Sequence, residues 1–493
     1  MAPAGDRSDD RAVPTGYVLA LAGAGVFLAA LDQTSVVTAL PEIIGDIELP
    51  VTDLDQGAWI ITGYLVGYTA AMPLVARLSD IYGHSRVYLA SMAVFLLGSA
   101  LVAVSDSLGW LIGARIVQAI GGGAVVPVAI ALVGERLPAS RRGVVIGVVV
   151  ATAEAGAVMG PLYGGLIIHW LDWRWVFWSN LPIGGVIMLL MFLSVKSVRR
   201  PGLAVDYAGG VLLGVSLACL ALGLSGGAVL PSGVGWQAGF LVAAGAALLA
   251  FFWWEDRAGD PLLPLSLLRK VPLAAANVAN LLIGGGLILA LVNIPLMTDT
   301  IMGKAPLEGG LRLLRLTMMI PVGAVIGGLL YQRFGYRVPM FAGLSLAALG
   351  FVLLSRWPLD VSDPRMSFDL MVGGLGFGLV VTPVTVAALN HVGEHQLATS
   401  SAMVTVMRMV GMIAGLSALS SWGQDRFRTL VARIPVPDQL AGEADAAAYE
   451  AQVRNAGLTF FHEVFIAAAI VCGVALLAAY LMGRKGAEAE APG

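Results

Sequence analysis

Apolar runs of about 20 residues, the length that crosses a bilayer as helix, follow one another along almost the whole chain with only short polar punctuation between them. By that length rule about fourteen spans are expected, at 16–40, 56–79, 87–105, 110–133, 143–168, 174–195, 207–227, 236–254, 272–298, 309–331, 338–355, 367–390, 398–421 and 460–482. Polar residues interrupt the pattern in a way that repeats. Ala76-Arg77-Leu78-Ser79-Asp80-Ile81-Tyr82-Gly83-His84-Ser85-Arg86 joins spans two and three, and Gly328-Leu329-Leu330-Tyr331-Gln332-Arg333-Phe334-Gly335-Tyr336-Arg337 joins spans ten and eleven. Both read small-x-Leu-x-polar-x-aromatic-Gly followed by a basic residue, the mark of a duplicated half in parallel repeat. Gly160-Pro161-x-x-Gly164-Gly165 is echoed by Pro321-Val322-Gly323 to Gly327-Gly328.

Spans 207–227 and 236–254 lie between the halves, flanked by Arg199-Arg200-Pro201-Gly202 and by the polar stretch from Asp256 to Pro272. The expected organisation is a polar tail at 1–15, a six-helix bundle at 16–200, and a two-helix insert with its linkers at 201–271. A second six-helix bundle follows at 272–485, with an outside segment at 422–459, and a tail closes the chain at 486–493.

Composition agrees with the pattern: 58% of the 493 residues are hydrophobic and 12% charged, against roughly a quarter charged in soluble domains. A net charge of -3 with dispersed basic residues gives no nucleic-acid footprint. Sidedness comes from where the cations fall. Arg77, Arg86, Arg136, Arg141, Arg142, Lys196, Arg199, Arg200, Arg257, Arg269, Lys270, Arg333, Arg337, Arg484 and Lys485 occupy loops of one parity, so those loops and both termini are expected in the cytoplasm of a bacterial plasma membrane. The loop from Trp422 to Leu458, expected outside, carries Arg426, Arg428, Arg433 and Arg454, but long outside loops obey the rule weakly. Its alternation of charge with Ala and Leu reads as helical extension of the last two spans. The first residues form no cleavable signal, and Cys219 and Cys472 read as small core hydrophobes.

The loop at Ala76–Arg86, Arg115-Ile116-Val117-Gln118-Ala119-Ile120-Gly121-Gly122-Gly123, and Gly160-Pro161-Leu162-Tyr163-Gly164-Gly165 resemble the three signature motifs of the major facilitator superfamily. Leu31-Asp32-Gln33-Thr34-Ser35-Val36-Val37 to Pro41, with Trp173-Arg174-Trp175-Val176-Phe177-Trp178-Ser179-Asn180-Leu181-Pro182, narrow the resemblance to fourteen-span drug:proton antiporters. Trp59 to Leu74, Glu154 with Gly160 to Gly164, Arg356 to Asp360 and Arg408 to Met412 look like the actinobacterial branch that exports triacylglycerides with a periplasmic lipoprotein.

The resemblance implies an all-α membrane protein with two parallel-repeat bundles around a central cavity. It would be a monomer that exports a lipid or hydrophobic drug by alternating access with the proton as coupling ion and no other cofactor. Multidrug efflux is the nearest alternative. A membrane-embedded lipid-processing enzyme is a remoter one, since no nucleophile-and-base or metal constellation is found. The resemblance also implies a latch at Asp80, Gly83 and Arg86, although Ala76 and Ile81 stand where the motif has Gly and a basic residue.

Four charges lie within spans and away from their ends: Asp32, Arg115, Glu154 and Arg408. Intramembrane charges are costly and usually pair or face a cavity, and proton relays are among their main uses. Asp32 and Arg115 have depths compatible with pairing, so Asp32 is the expected proton carrier, with Arg115 and Arg408 setting which conformation favours its ionised form. The plain alternative is a static ion pair that fixes helix packing. Glu154 is expected to be a second proton site, or the partner of Arg312, Arg315 or Arg408 across the halves; a packing hydrogen bond is its plain alternative. Arg312 and Arg315 read as snorkelling. Gly160, Pro161, Gly164 and Gly165 suit close helix packing. Asn277 and Asn280, one turn apart, and Met403 and Met407 are candidates to line a cavity, with core packing open for the methionines. No metal site and no phosphate-binding loop is expected.

Overall fold

The computed structural model describes residues 14–47, 49, 54–134, 139–194, 206–225, 234–259, 271–390, 397–435 and 443–481. Arg136, Lys196, Arg199, Arg200, Arg269, Lys270, Arg484 and Lys485, on which much of the expected sidedness rests, lie outside these residues, as do the side chains of Asp80, Arg141 and Arg142.

The first half comprises α1 (Thr15–Asp46), α2 (Leu54–Tyr82), α3 (His84–Ala103), α4 (Leu108–Gly134), α5 (Ala139–Trp170), α6 (Arg174–Trp178) and α7 (Asn180–Ser194). The insert is α8 (Tyr207–Leu224) and α9 (Val234–Glu255). The second half comprises α10 (Val271–Thr300), α11 (Pro306–Thr317), α12 (Met319–Phe334), α13 (Arg337–Leu354), α14 (Asp363–Asn390), α15 (Leu397–Val431) and α16 (Glu443–Leu481). Among the described residues 13 spans are long and apolar enough to cross a membrane, with α6–α7 and α11–α12 each counting once. At about 1.5 Å per residue α5, with 32 residues, has the length for one more. The end where α1 stops and α2 starts is termed distal.

Two expected spans are broken in the middle of the chain's path, and proline explains both. Pro182 has no N–H for the Trp178 carbonyl one turn back, and the helix breaks at Ser179; Pro321 likewise leaves Thr317, and the break falls at Met318. Pro161 removes the same bond inside α5, yet α5 continues. There Thr34 of α1 donates its hydroxyl to the freed Ala157 carbonyl at 2.9 Å, and Thr38 donates to Pro161 O at 3.2 Å.

Glycine makes that approach possible. A Cβ on Gly160 would press on Thr34 Oγ1 and stand 2.6 Å from Leu31 O, and one on Gly164 would meet Thr38 Oγ1 and stand 2.5 Å from Ser35 O. Gly165 faces the other way, where a Cβ would lie 3.0 Å from Leu307 Cα of α11. The motif therefore packs α5 on α1 within the first half and on α11 across the halves. Gly164→Leu is expected to destabilise the protein by roughly 1–3 kcal/mol or more through overpacking, seen as a lower melting temperature in detergent; an unchanged melting temperature would contradict this packing.

The duplicated loop is reproduced in the backbone. Gly83 between α2 and α3 has φ 93° and Gly335 between α12 and α13 has φ 75°, a region open chiefly to glycine. The second sequence echo has another cause. It falls on α5, fifth helix of its half, and on α12 in the second span of the other, where Gly323 and Gly327 abut Leu375 O and Leu379 O of α14. Shared close packing, not repeat position, accounts for it.

Among the described residues the two most extensive contacts between the halves form two seams. On one, α5 packs against α11 near the distal end; on the other, α2 packs against α15. The insert covers the second seam: α8 lies on both α2 and α15, with Leu213 and Leu217 clustered against Val66 and Val410. Beyond the distal face α15 and α16 continue as helices, as their charge alternation predicts. From Glu443 to the level of His462, which bonds Trp357 O at 2.8 Å, α16 adds roughly 28 Å. Arg426 grips Glu463 through two bonds of 2.7 Å, and Phe427 packs edge-on against Phe460, so the two extensions are braced together.

Candidate functional site

Asp32 lies in the middle of α1 and is buried, and its side-chain partners all come from the first half. Arg115 of α4 donates Nη1 to its Oδ2 at 2.9 Å, Gln118 donates Nε2 to Oδ1 at 3.0 Å, and Asn180 donates Nδ2 to Oδ1 at 2.6 Å. Gln118 also accepts from Arg115 Nη1 at 2.7 Å, while the guanidinium lies 4.1 Å from the centre of the Tyr64 ring and 5.5 Å from that of Phe177. Asn180 reaches Ser99 Oγ at 3.0 Å, and Ser99 donates to Phe177 O at 2.8 Å. Each of the three side chains that bond the carboxyl donates to it. The arrangement therefore suits a carboxylate, and taking up a proton would force it to rearrange.

The expected pairing of Asp32 with Arg115 is present, but Arg408 is not part of it. Arg408 of α15 instead faces Glu154 of α5 across the halves, Nη2 to Oε1, at 3.6 Å. The two sites differ in kind. Side-chain exposure is 0% for Asp32 and Arg115 but 36% for Glu154 and 23% for Arg408, so the second pair stands in an accessible space at span depth. Tyr68, one turn from Tyr64 and in ring contact with it at 6.0 Å, is within electrostatic reach of both members of that pair.

Other expectations are redirected. Asn277 and Asn280 are both buried: Asn277 bonds Leu273 O of its own helix at 3.0 Å, and Asn280 bonds Val404 O of α15 at 2.5 Å. A buried amide must find an acceptor, and a neighbouring backbone supplies one. Met403 is packed in the core and Met407 is half-buried. Arg312 does not snorkel; it is buried, with Nη1 at 3.2 Å from Thr298 Oγ1 and 2.8 Å from Met302 Sδ, tying α11 to the end of α10. Arg315 meets Asp363 at 3.4 Å at the distal surface. Of the latch residues, Gly83 forms the tight turn and Arg86 is exposed in the first turn of α3. Among the described residues no group of three or more His, Cys, Asp or Glu could hold a metal ion.

Sequence reasoning missed Tyr64 and Ser99, and it gave Asn180 only as part of a family motif. Gln118 had a signal, since position i+3 from Arg115 puts it on the same helix face. Also missed is Asp369, buried on α14 and held by Trp357 Nε1 at 2.9 Å.

An apolar groove of about 810 Å³ runs between α5 and α7 with α1 as its floor. Gly16, Ala20, Gly23 and Ala24 keep the floor low, while Met159, Leu166 and Ile183 stand exposed along its walls. From Gly16 to Leu31 it spans roughly 22 Å, ending beside Tyr163, whose hydroxyl bonds Ser179 next to Asn180.

The description of the Major Facilitator Superfamily matches residues 22–206 and 206–416. A triacylglyceride transporter of Mycolicibacterium smegmatis is 36% identical over 493 residues, covering 94% of this chain and 87% of that protein. A triacylglyceride transporter of Mycobacterium tuberculosis is 36% identical over 486 residues, covering 93% of each. The crystal structure of a bacterial homolog of the human lysosomal transporter Spinster, inward-facing and unoccupied, has the same fold, with a TM-score of 0.69 at 15% identity over 95% of this chain and 97% of that one. The chain belongs to the major facilitator superfamily and is a multi-pass membrane transporter.

Proposed function

We propose that the protein exports a neutral lipid of the triacylglyceride class, coupled to protons entering from the distal side, by rocking of the two halves. The observation that carries this reading is the Glu154–Arg408 pair. A bare acid in the central space would suit cationic drugs, whereas here the acid is matched by a guanidinium, so the space presents little net charge. The apolar groove and the names of the relatives point the same way. In this scheme the proximal end and both termini face the cytoplasm, Asp32 carries the proton, and the braced α15–α16 extension hands lipid to a periplasmic lipoprotein.

Proteoliposomes with an imposed pH gradient and two labelled cargoes, a triacylglyceride and a cationic dye, test this scheme. Gradient-dependent movement of the triacylglyceride is expected. Movement of the dye alone would favour multidrug antiport, for which the partial exposure of Glu154 is the supporting observation. Lipid movement indifferent to the gradient would remove the proton from the scheme.

A further inference from the structure

A carboxylic acid differs from a carboxylate in needing an acceptor for its O–H. In the ionised state Asp32 takes N–H donors from Arg115, Gln118 and Asn180, so a proton added to either oxygen meets no acceptor among these three until one of them turns. Arg115 has none to offer. Gln118 has a carbonyl oxygen, but Arg115 Nη1 already holds it at 2.7 Å, and turning the amide would set its NH2 against the guanidinium. Asn180 differs: its Oδ1 is buried and without a hydrogen-bond partner among the described residues, so its rotation gives up nothing on the oxygen side.

We propose that Asn180 and Ser99 read the protonation state of Asp32 by turning together. This rests on Asp32 being the proton carrier. A proton arriving from the distal side adds to Asp32 Oδ1, which becomes an O–H donor. The Asn180 carboxamide, 2.6 Å away, rotates to present Oδ1 as acceptor. That rotation also places a carbonyl oxygen about where Nδ2 stood, 3.0 Å from Ser99 Oγ, and two lone-pair oxygens cannot face each other there without a proton between them. Ser99 therefore swings its hydroxyl from Phe177 O, 2.8 Å away, to Asn180. The Phe177 carbonyl, two residues before the break at Ser179, loses the Ser99 hydroxyl. Loss of the proton reverses each step. Asn180 and Ser99 are positioning residues: both are fully buried, and they convert a proton at Asp32 into a change at the α6–α7 junction.

The ionisable groups around Asp32 leave room for this exchange. Arg115 comes from α4 and Tyr64 from α2, while α5 contributes Tyr163, whose hydroxyl is engaged by Ser179. The junction of α6 and α7 contributes Asn180 and Ser179, both neutral. The charges of α10 and α11, namely Asp299, Glu308, Arg312 and Arg315, stand near the distal end of those helices.

Difference infrared spectroscopy of the full chain in lipid, titrated with pH, tests the switch. Wild type should show a carboxylic acid C=O band that Asp32→Asn removes, together with a change in the asparagine amide bands. Asn180→Leu should move the acid band to higher wavenumber, since the acceptor is gone. Ser99→Ala, a small change even if Asn180→Leu folds poorly, should keep the acid band but lose the accompanying amide change, and gradient-driven export should fall by about tenfold. An acid band unmoved in Asn180→Leu, or wild-type amide changes and export in Ser99→Ala, would overturn the switch and leave Asp32 as proton carrier. Absence of any band removed by Asp32→Asn would overturn both.

Discussion

Asp32→Ala is expected to lower stability by roughly 3–5 kcal/mol, because it strands the Arg115 guanidinium, wholly enclosed, without its counter-charge. Thermal unfolding in detergent measures it. Two further variants separate stability from transport. Asp32→Asn keeps the shape and an acceptor for Arg115, so it should fold, yet its export should no longer respond to a pH gradient. Replacing the pair together, as Asp32→Leu with Arg115→Leu, should recover part of the lost stability, since it removes both buried charges at once while the buried Gln118 loses its partners. It should remain inactive. Gradient-dependent export by Asp32→Asn would show that this carboxyl carries no transported proton and is a static brace.

Glu154→Gln should behave in the opposite manner, with little change in melting temperature and a large loss of export. At 3.6 Å and with both side chains partly exposed, its contact with Arg408 is worth only about 0–1 kcal/mol as a stabilising bond. Its position matters more, because α5 and α15 belong to different halves, which in the proposed scheme separate and rejoin in each cycle. A coupling of even about 1.4 kcal/mol between the states changes their ratio tenfold, so export should drop by roughly that factor or more. Arg408→Gln should match it, and the exchange Glu154→Arg with Arg408→Glu should recover part of the activity. Full activity in Glu154→Gln would remove a main support of the lipid-export scheme.

How much of this was legible in the chain differs between the two charge pairs. Asp32 and Arg115 could be matched from sequence because each sits in a span whose register follows from helix rise alone. Glu154 had three possible partners, since the spans bearing Arg312, Arg315 and Arg408 can all approach α5 in principle. Only packing selects α15. Asn277 and Asn280 show the opposite limit: their spacing marks a helix face correctly, but spacing cannot say whether that face meets a cavity or another helix.

Span lengths, the two-span insert and the turns at Gly83 and Gly335 are local consequences of sequence. A bilayer demands long apolar helices with their backbone bonds satisfied internally, and positive φ demands glycine. The tertiary structure alone decided the rest. It shows which seam α8 covers, that Thr34 replaces the bond Pro161 cannot make, and that Gln118, Asn180 and Ser99 converge on Asp32. Those contacts join residues from separate helices. No periodicity along one helix encodes them, because they depend on how far and at what rotation two helices approach.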